Sequence, residues 1–236
     1  MQAMKPMYST EWFETYAATV PASFTDADLR GITATLQLDR YPRILDVGCG
    51  IGRISGPLSS RGYSVTGVDI SVDALLTASR RAPGPRYIVL DQRHIGQMKW
   101  VFDGALCLWN SLGFVGRSAD LDTLVGVATA LRPGGKVVFD LYHPDWLDRN
   151  PRSGEPDDRG AVSIRRWTRA GRCFHEIRYA NGQVDDIQFN VYRPEEVRDL
   201  SRRAGLEPGV EMAWWSPESH PSPESPRYQL ICTRPE

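Results

Sequence analysis

The sequence has few cysteines and lacks the residue patterns that build metal centres, disulfide frameworks and membrane spans. It has only four cysteines in 236 residues, at positions 49, 107, 173 and 232, and their wide separation matches no metal-ligand spacing. No run of eighteen apolar residues occurs, and the opening residues MQAMKPMYSTEWF lack the apolar core of a signal peptide. We therefore expect a cytoplasmic protein with reduced thiols, no bound metal and no membrane partner.

Lysine is also scarce, occurring only at positions 5, 99 and 136, so arginine carries most of the positive charge. The net charge is −1 and the isoelectric point is near 6.4. These values predict no general attraction to nucleic acids or anionic membranes, and no segment interleaves basic and aromatic residues. The partner that remains is a small molecule, and we expect a monomer or a homodimer.

Short apolar runs alternate with helical patterns through the first 142 residues. The runs are almost continuously apolar, which is typical of strands covered on both faces. They span residues 43–47, 64–70, 86–91, 102–109 and 136–142. This alternation predicts an α/β fold: a Rossmann-like, doubly wound sheet that is mostly parallel, with an antiparallel strand added near the C-terminus.

The pattern changes after residue 142. Residues 143–160 are rich in proline, glycine and charge, and they indicate an exposed loop. Three strand-like runs follow, with turns at Ala170-Gly171 and Asn181-Gly182, and predict a small antiparallel β insertion after strand five. We expect four regions: an N-terminal helical lid at 1–40, a cofactor-binding core at 41–142, a substrate roof at 143–192, and a C-terminal helix and strands at 193–236 that complete the sheet.

The segment ILDVGCGIGRIS, residues 44–55, joins the first strand to a helix and carries three glycines. Dinucleotide sites space their glycines as G-x-G-x-x-G, and Arg53 stands where the third glycine would be. Asp46 would repel a pyrophosphate there; it suits a cationic ligand, or it caps the glycine turn, and the two roles can coexist. Asp69 follows Gly50 by nineteen residues and ends the second strand, where an acid can accept hydrogen bonds from both ribose hydroxyls.

Five segments resemble motifs of the class I S-adenosylmethionine-dependent methyltransferases. They are ILDVGCGIGRIS, VTGVDIS, VLDQRHI, FDGALCLWNSLGFV and LRPGGKVVFDLYHP, and they follow the family's order across residues 44–144. The resemblance implies S-adenosylmethionine as cofactor and S-adenosylhomocysteine as product.

The resemblance also implies contacts with the parts of the cofactor. These are Gly48 and Gly50 with the methionine part, Asp69 with the ribose, Ile70 with one adenine face, Asp91 with the adenine amine, and Trp109 and Asn110 at the mouth where the methyl points. The further candidate cofactor contacts are Asp46, Cys49, Gly52, Arg53, Gln92 and Tyr16.

The acceptor side offers few titratable groups, because the chain has only four histidines. His143 follows strand five, where ligands bind in such sheets, so it is the first candidate for a base or hydrogen-bond partner; alternatively it caps backbone before Pro144. His175 on an insertion strand is second, and Asn110 is the other catalytic candidate. The candidate substrate contacts are Tyr8, Trp12, Tyr142, Trp146 and His175.

The N-terminal residues Tyr8, Trp12 and Tyr16 are spaced four apart, which predicts an aromatic stripe on a helix. The stripe either packs on the core or forms a lid over the cofactor. The two interpretations overlap, because a lid would itself pack on the cofactor.

Several substrate classes are disfavoured by what the motifs lack. Strand four ends in LWNSLG instead of the N/D-P-P-Y-like sequence of nucleic-acid amino-methyltransferases, and the paired-glutamate loop of protein arginine methyltransferases is absent. A metal-assisted enzyme could use Asp140 and Asn110, but no third ligand has a suitable spacing. We expect methyl transfer to a nitrogen or oxygen of a small molecule, similar to natural-product tailoring enzymes of secondary metabolism. The alternatives are a homologue without catalysis and a nucleotide-cofactor oxidoreductase.

Overall fold

A seven-stranded sheet forms the centre of the computed structural model, which describes residues 8–17, 20–98, 101–156 and 161–236, with the side chains of residues 16 and 17 left out. In spatial order its strands are β10 (Glu207–Ala213), β11 (Arg227–Thr233), β5 (Leu131–Tyr142), β4 (Phe102–Cys107), β1 (Arg43–Val47), β2 (Ser64–Asp69) and β3 (Arg86–Val89). Strands β1 to β5 pair in parallel, whereas β11 is antiparallel to β5 and to β10. The predicted mostly parallel, Rossmann-like α/β fold is confirmed.

Helices cover both faces of this sheet. They are α2 (Ala22–Thr35), α3 (Ser55–Ser60), α4 (Val72–Arg81), α5 (Arg117–Ala130) and α7 (Pro194–Arg203), with a 3-10 turn at Gln92–Gln97. Successive strand residues alternate between two cores, since Ile44 packs with α2 and α3 and Leu45 packs with α5 and α7. Within the described ranges, no helix combines the length and the apolar character that crossing a bilayer requires.

A second, antiparallel sheet follows the core, in the order β6 (Arg152–Glu155), β7 (Ala161–Arg169), β8 (Arg172–Tyr179) and β9 (Val184–Asn190). The hairpin turn between β7 and β8 has φ of 52° at Ala170 and 72° at Gly171. Such left-handed values match the right-handed twist of the flanking strands.

The expectation of an exposed loop at 143–160 is wrong for its described part. Pro144–Arg149 forms a helix, α6, and β6 pairs with β7, so the insertion has four strands where the sequence indicated three. Proline at the first helical turn is favourable, because its missing N–H needs no partner there. The sequence of β6, Arg-Ser-Gly-Glu, has no apolar alternation, and pairing with β7 gives it the extended form. Residues 157–160 lie outside the described residues.

The N-terminal segment departs from the predicted stripe. Helix α1 (Thr10–Trp12) is one turn long and continues as a wider π-helical turn at Phe13–Ala17. Tyr8 precedes the helix, yet its ring lies 4.0 Å from that of Trp12, centroid to centroid. Among the described aromatic side chains of this segment, that of Phe13 is buried. The side chain of Tyr16 lies outside the described part of the chain.

Candidate functional site

A cavity of about 320 Å³ lies at the carboxyl ends of the parallel strands. It opens beside β1 and β4, the neighbouring strands at which the order of the sheet reverses. Open α/β sheets bind ligands at this switch point. The insertion sheet and the N-terminal segment also line the cavity, so it extends well beyond the sheet edge.

Most residues that the sequence singled out come together in this cavity. Its lining includes Tyr8, Trp12, Asp46, Gly48, Cys49, Gly50, Arg53, Asp69, Ile70, Asp91, Gln92, Trp109, Asn110, Tyr142 and His175. Three other candidates, Gly52, His143 and Trp146, lie outside this lining.

The glycine loop after β1 is held against the end of β2. The N–H groups of Gly48 and Cys49 both donate to the carbonyl of Val68, at 2.8 and 3.1 Å. Gly48 has φ of 69°, and a Cβ there would lie 2.8 Å from Cβ of Ser111; Gly52 has φ of 76°, and its Cβ would lie 2.5 Å from the hydroxyl of Tyr87. Both positions therefore require glycine for conformation and for space.

Asp69 fixes the loop from the neighbouring strand. One carboxylate oxygen accepts from the N–H of Gly50 and the other from the N–H of Ser71, both at 2.9 Å. Burial raises the pKa of Asp69. A carboxylate has about four acceptor positions, so these backbone donors do not use its whole capacity for accepting hydrogen bonds. Asp69 thus has a structural role that sequence reasoning did not assign, beside the ribose role that it did.

Asp46 lies beneath the loop and is only 4% exposed. The hydroxyl of Ser55 donates to it at 2.5 Å, and burial raises its pKa to about 6. The nearby carboxylate of Asp69 acts in the same direction, and the Arg53 guanidinium opposes it. Asp46 therefore combines a place in the cavity wall with a hydrogen bond to the helix that follows the loop.

The raised pKa of Asp46 predicts a loss of stability as pH rises. Between about pH 4 and 6 the unfolded chain has already released this proton while the folded chain still holds it, so the free energy of unfolding falls across that window. Asp46→Asn should remove this decline, which is about 3 kcal/mol. Urea unfolding from pH 4 to 7 measures it, and Asp26→Asn, at an exposed site, should keep the wild-type slope. Equal slopes for wild type and Asp46→Asn would contradict the prediction.

The far end of the cavity is formed by residues after β2 and β3. Ile70 and Gln92 line it beside Asp91. The carboxylate of Asp91 caps the 3-10 turn and pairs with Arg93 at 2.5 Å, and this guanidinium lowers its pKa. Asp91 is therefore charged, and its hydrogen bond to the N–H of Arg93 fixes its position.

The chain after β4 turns sharply into the cavity. Trp109 and Asn110 have φ of 51° and 64°, values that are rare for residues other than glycine. The Asn110 carbonyl oxygen Oδ1 accepts from the N–H of Tyr142 at 2.8 Å, which joins the ends of β4 and β5. The indole of Trp109 donates to Asp28 at 3.0 Å and lies 4.5 Å below the Arg53 guanidinium. Asn110 thus positions the turn, and Asp28 is a support that sequence reasoning missed.

A buried ion pair, also missed, supports the same turn. Arg227 at the start of β11 contacts Asp140 of β5 at 2.7 Å, and Asp140 also accepts from Gln229 at 2.8 Å and from the N–H of Trp109 at 3.2 Å. The Arg227 guanidinium lies 4.6 Å from the Tyr142 ring centroid, in the cavity wall. A charged residue opening the apolar run RYQLICT was the one signal for it. Asp140, considered for a metal, is instead held by these donors.

The other half of the cavity is aromatic and basic. It is lined by Tyr8, Trp12, Phe114, Tyr142, Arg152, Arg166, His175, Phe189 and Arg227. Trp146 stands behind this wall, stacked on Tyr142 with ring centroids 6.4 Å apart. The expected substrate contact of Trp146 is therefore indirect in this structure.

His143 does not occupy the place that its sequence position indicated. Its ring is buried edge-on against Tyr228, outside the cavity lining, and Nδ1 has no hydrogen-bond partner among the described residues. Burial lowers its pKa. Its carbonyl accepts from the N–H of Leu147 in α6, which matches the backbone-capping alternative. The hypothesis of His143 as a base conflicts with this placement, because a base must reach the acceptor.

The part of the chain that carries the glycine loop is similar to known sequences. Residues 44–135 match the family of methyltransferase domains. The chain is 30% identical over 172 residues to a ubiquinone biosynthesis O-methyltransferase of Ruegeria pomeroyi, covering 70% of this chain and 60% of that protein. It is 37% identical over 101 residues to a malonyl-[acyl-carrier protein] O-methyltransferase of Salmonella typhimurium, covering 42% and 39%. The chain spans about half the length of the curated relatives that it matches.

Solved structures share the fold along nearly the whole chain. An S-adenosylmethionine-dependent methyltransferase from Clostridium acetobutylicum aligns with a TM-score of 0.77 and 17% identity, over 96% of this chain and 97% of that one. CalS10 from Micromonospora echinaspora, an amino pentose methyltransferase involved in calicheamicin biosynthesis, aligns with a TM-score of 0.74 and 21% identity, over 98% and 99%. The insertion sheet and the C-terminal strands are therefore included in the shared fold.

Proposed function

Because the chain carries a class I S-adenosylmethionine-dependent methyltransferase domain, as its motifs predict, we propose that it transfers a methyl group from S-adenosylmethionine to a nitrogen or oxygen atom of a small molecule. S-Adenosylmethionine is the cofactor of such domains and supplies an electrophilic methyl on a sulfonium. The observation that carries the proposal is one continuous cavity, acidic at the ends of β1 to β3 and aromatic beneath the insertion sheet.

The residues of the acidic half of the cavity, called the cofactor half here, fit S-adenosylmethionine. Asp69 keeps acceptor positions for a ribose while it holds the glycine loop, and the loop presents a backbone without side chains. Ile70, Asp91 and Gln92 line the end that adenine would occupy. The carboxylate of Asp46 would attract the positive charge of a sulfonium, whereas it would repel the negative charge of a pyrophosphate.

The aromatic and basic half of the cavity, beneath the insertion sheet, is called the acceptor half here. It can position a nucleophile without an obligatory base. Methyl transfer is an in-line displacement, so alignment of the two reactants supplies most of the rate. Aromatic walls such as Tyr142 and Phe189 restrict the acceptor's orientation, and His175 is the histidine in reach of it. The named relatives include O-methyltransferases, which supports an oxygen acceptor, and an amino pentose methyltransferase involved in calicheamicin biosynthesis, which supports a small-molecule acceptor and a role in secondary metabolism.

A screen with product detection tests this function. We expect the purified protein to bind S-adenosylmethionine in calorimetry and to release S-adenosylhomocysteine with at least one member of a panel of amines, alcohols and acids. Mass spectrometry of that reaction should find a product heavier by one methylene. Binding without turnover across the panel would favour the homologue without catalysis, and absence of binding would contradict the proposal.

The N-terminal segment should control the affinity for the cofactor. Trp12 and Phe13 line the cavity, and Ser9 Oγ donates to Asp185 of β9 at 2.8 Å. Deleting residues 1–20 should therefore weaken S-adenosylhomocysteine binding at least tenfold, about 1.4 kcal/mol. Calorimetry measures it, and the exposed-site variant Phe24→Ala is the control. Unchanged affinity after the deletion would show that the segment only packs on the core.

A further inference from the structure

Three basic side chains form one row across the insertion sheet. Arg166 on β7 lies directly opposite Arg152 on β6 and directly opposite His175 on β8. All three line the cavity. The row therefore belongs to the face of the sheet that covers the acceptor half.

The pairing of Arg166 with Arg152 opposes the stability of the sheet, because like charges directly opposite each other on neighbouring strands repel. The other face of the same strands avoids this. There Arg165 lies opposite Glu176, with the charged atoms 3.9 Å apart. On the outer face the charge of Arg165 is therefore balanced by an acid. On the inner face Arg166 has basic residues opposite it instead.

Arg166 itself retains an unsatisfied donor. Its Nη2 donates to the carbonyl of Asn150 at 2.7 Å, and its guanidinium lies 5.1 Å from the Trp146 ring centroid. Its Nε is buried and has no hydrogen-bond partner among the described residues. A buried donor without an acceptor is costly, so an oxyanion that reached this guanidinium and accepted from Nε would be favoured.

The two halves of the cavity differ in their unbalanced charge, since Arg53 in the cofactor half is paired with Asp28 at 2.8 Å. The carboxylates of the described lining residues are Asp46, Asp69 and Asp91, which all belong to the cofactor half. In the acceptor half the charge of Arg227 is balanced by Asp140, and Arg152 has Glu155 at 3.8 Å. Arg166 has no carboxylate within ion-pair distance among the residues that the structure describes. The unbalanced charge on the acceptor side is positive.

We propose that the methyl acceptor carries an oxyanion group, a carboxylate or a phosphate, which Arg166 binds together with Arg152 and His175. This inference rests on the proposed methyl transfer and adds the chemical class of its acceptor. A planar guanidinium donates two parallel N–H bonds to a carboxylate or phosphate, and its neighbours supply further donors. Binding of the oxyanion group fixes one end of the acceptor, and the aromatic walls orient the atom to be methylated.

Four probes of similar size test the charge preference of the acceptor half. Benzoate, phenyl phosphate, benzamide and benzylamine are titrated at pH 7 and fixed ionic strength into the full chain, with and without saturating S-adenosylhomocysteine, and Kd is obtained by calorimetry. At least one of the two acids should bind tenfold or more tightly than benzamide, and the tighter acid distinguishes a carboxylate site from a phosphate site. Equal binding of benzamide, tighter binding of benzylamine, or no binding of either acid at millimolar concentration would overturn the inference.

Matched variants assign the preference to the row. Arg166→Gln should reduce the ratio between acid and amide affinities to about one, whereas Arg165→Gln on the outer face should keep it, and Arg166→Lys should keep part of it. Thermal unfolding of each variant checks that the fold is retained. If Arg165→Gln lowered the ratio between acid and amide affinities as much as Arg166→Gln does, the preference would be a general effect of charge. That result would contradict the assignment of the oxyanion site to Arg166, Arg152 and His175. Failure to bind S-adenosylhomocysteine would count against the proposed function, while the probe titrations without it still test the oxyanion site.

Discussion

Replacing Asp69 with alanine is expected to lower the affinity for S-adenosylhomocysteine at least a hundredfold and the free energy of unfolding by about 2–4 kcal/mol. Both effects have the same origin. The carboxylate accepts from the N–H groups of Gly50 and Ser71, and hydrogen bonds to a charged group contribute about 1.5–3 kcal/mol each. Alanine leaves these donors without a partner, so the glycine loop loses its anchor as well as its ribose acceptor.

Calorimetry and urea unfolding measure the two effects separately. Asp122→Ala is the matched control, because it removes an equal charge from an exposed position of α5 that is not in the first turn of the helix. The control should change neither quantity appreciably. From the sequence alone, Asp69→Ala would affect binding and leave stability unchanged; a result of that kind would show that the two backbone hydrogen bonds contribute little. Unchanged binding would refute the ribose role.

Removing Arg227 should cost about 3–5 kcal/mol of folding free energy and abolish turnover. Asp140 is 1% exposed, and Arg227→Met would leave its carboxylate buried without a counter-charge. The N–H of Trp109 also donates to Asp140, so the strained turn at Trp109 and Asn110 would lose its support together with the ion pair. Urea unfolding and release of S-adenosylhomocysteine measure the two losses.

The contrast with a surface ion pair makes this prediction specific. Arg202 and Asp199 form a pair whose side chains are 59% and 73% exposed, so Arg202→Met should cost less than about 0.5 kcal/mol. The double variant Asp140→Leu/Arg227→Met should regain part of the lost stability, because it removes both buried charges at once. Equal costs for Arg227→Met and Arg202→Met would show that the buried pair is not needed.

Sequence alone was sufficient wherever the determinants are local. Five nearly continuous apolar runs, alternating with helical patterns, are typical of strands covered on both faces, and the glycines with Asp46 and Asp69 occur at fixed distances from strand ends. The parallel sheet and its cofactor edge follow from these features. The antiparallel partner of β5 was also predictable, since an apolar run near the C-terminus remained to complete the sheet.

Sequence alone was insufficient for features whose position depends on contacts between distant segments of the chain. His143 follows β5 as expected, but its ring turns toward Tyr228, and no local pattern determines that direction. The row through Arg166 exists only because of the register between β6, β7 and β8. Asp28 lies on α2, and it meets Trp109 only when the fold is complete.

The N-terminal segment bridges the two halves of the cavity. Phe13 packs with Ile51 and Ala74 beside the glycine loop, while Ser9 is hydrogen-bonded to Asp185 in the insertion sheet. If the N-terminal segment is the lid that the sequence suggests, these contacts mean that it cannot open over one half of the cavity while it stays closed over the other. We then expect each round of methyl transfer to include at least one opening of the lid, and a slow opening would limit turnover however fast the displacement itself.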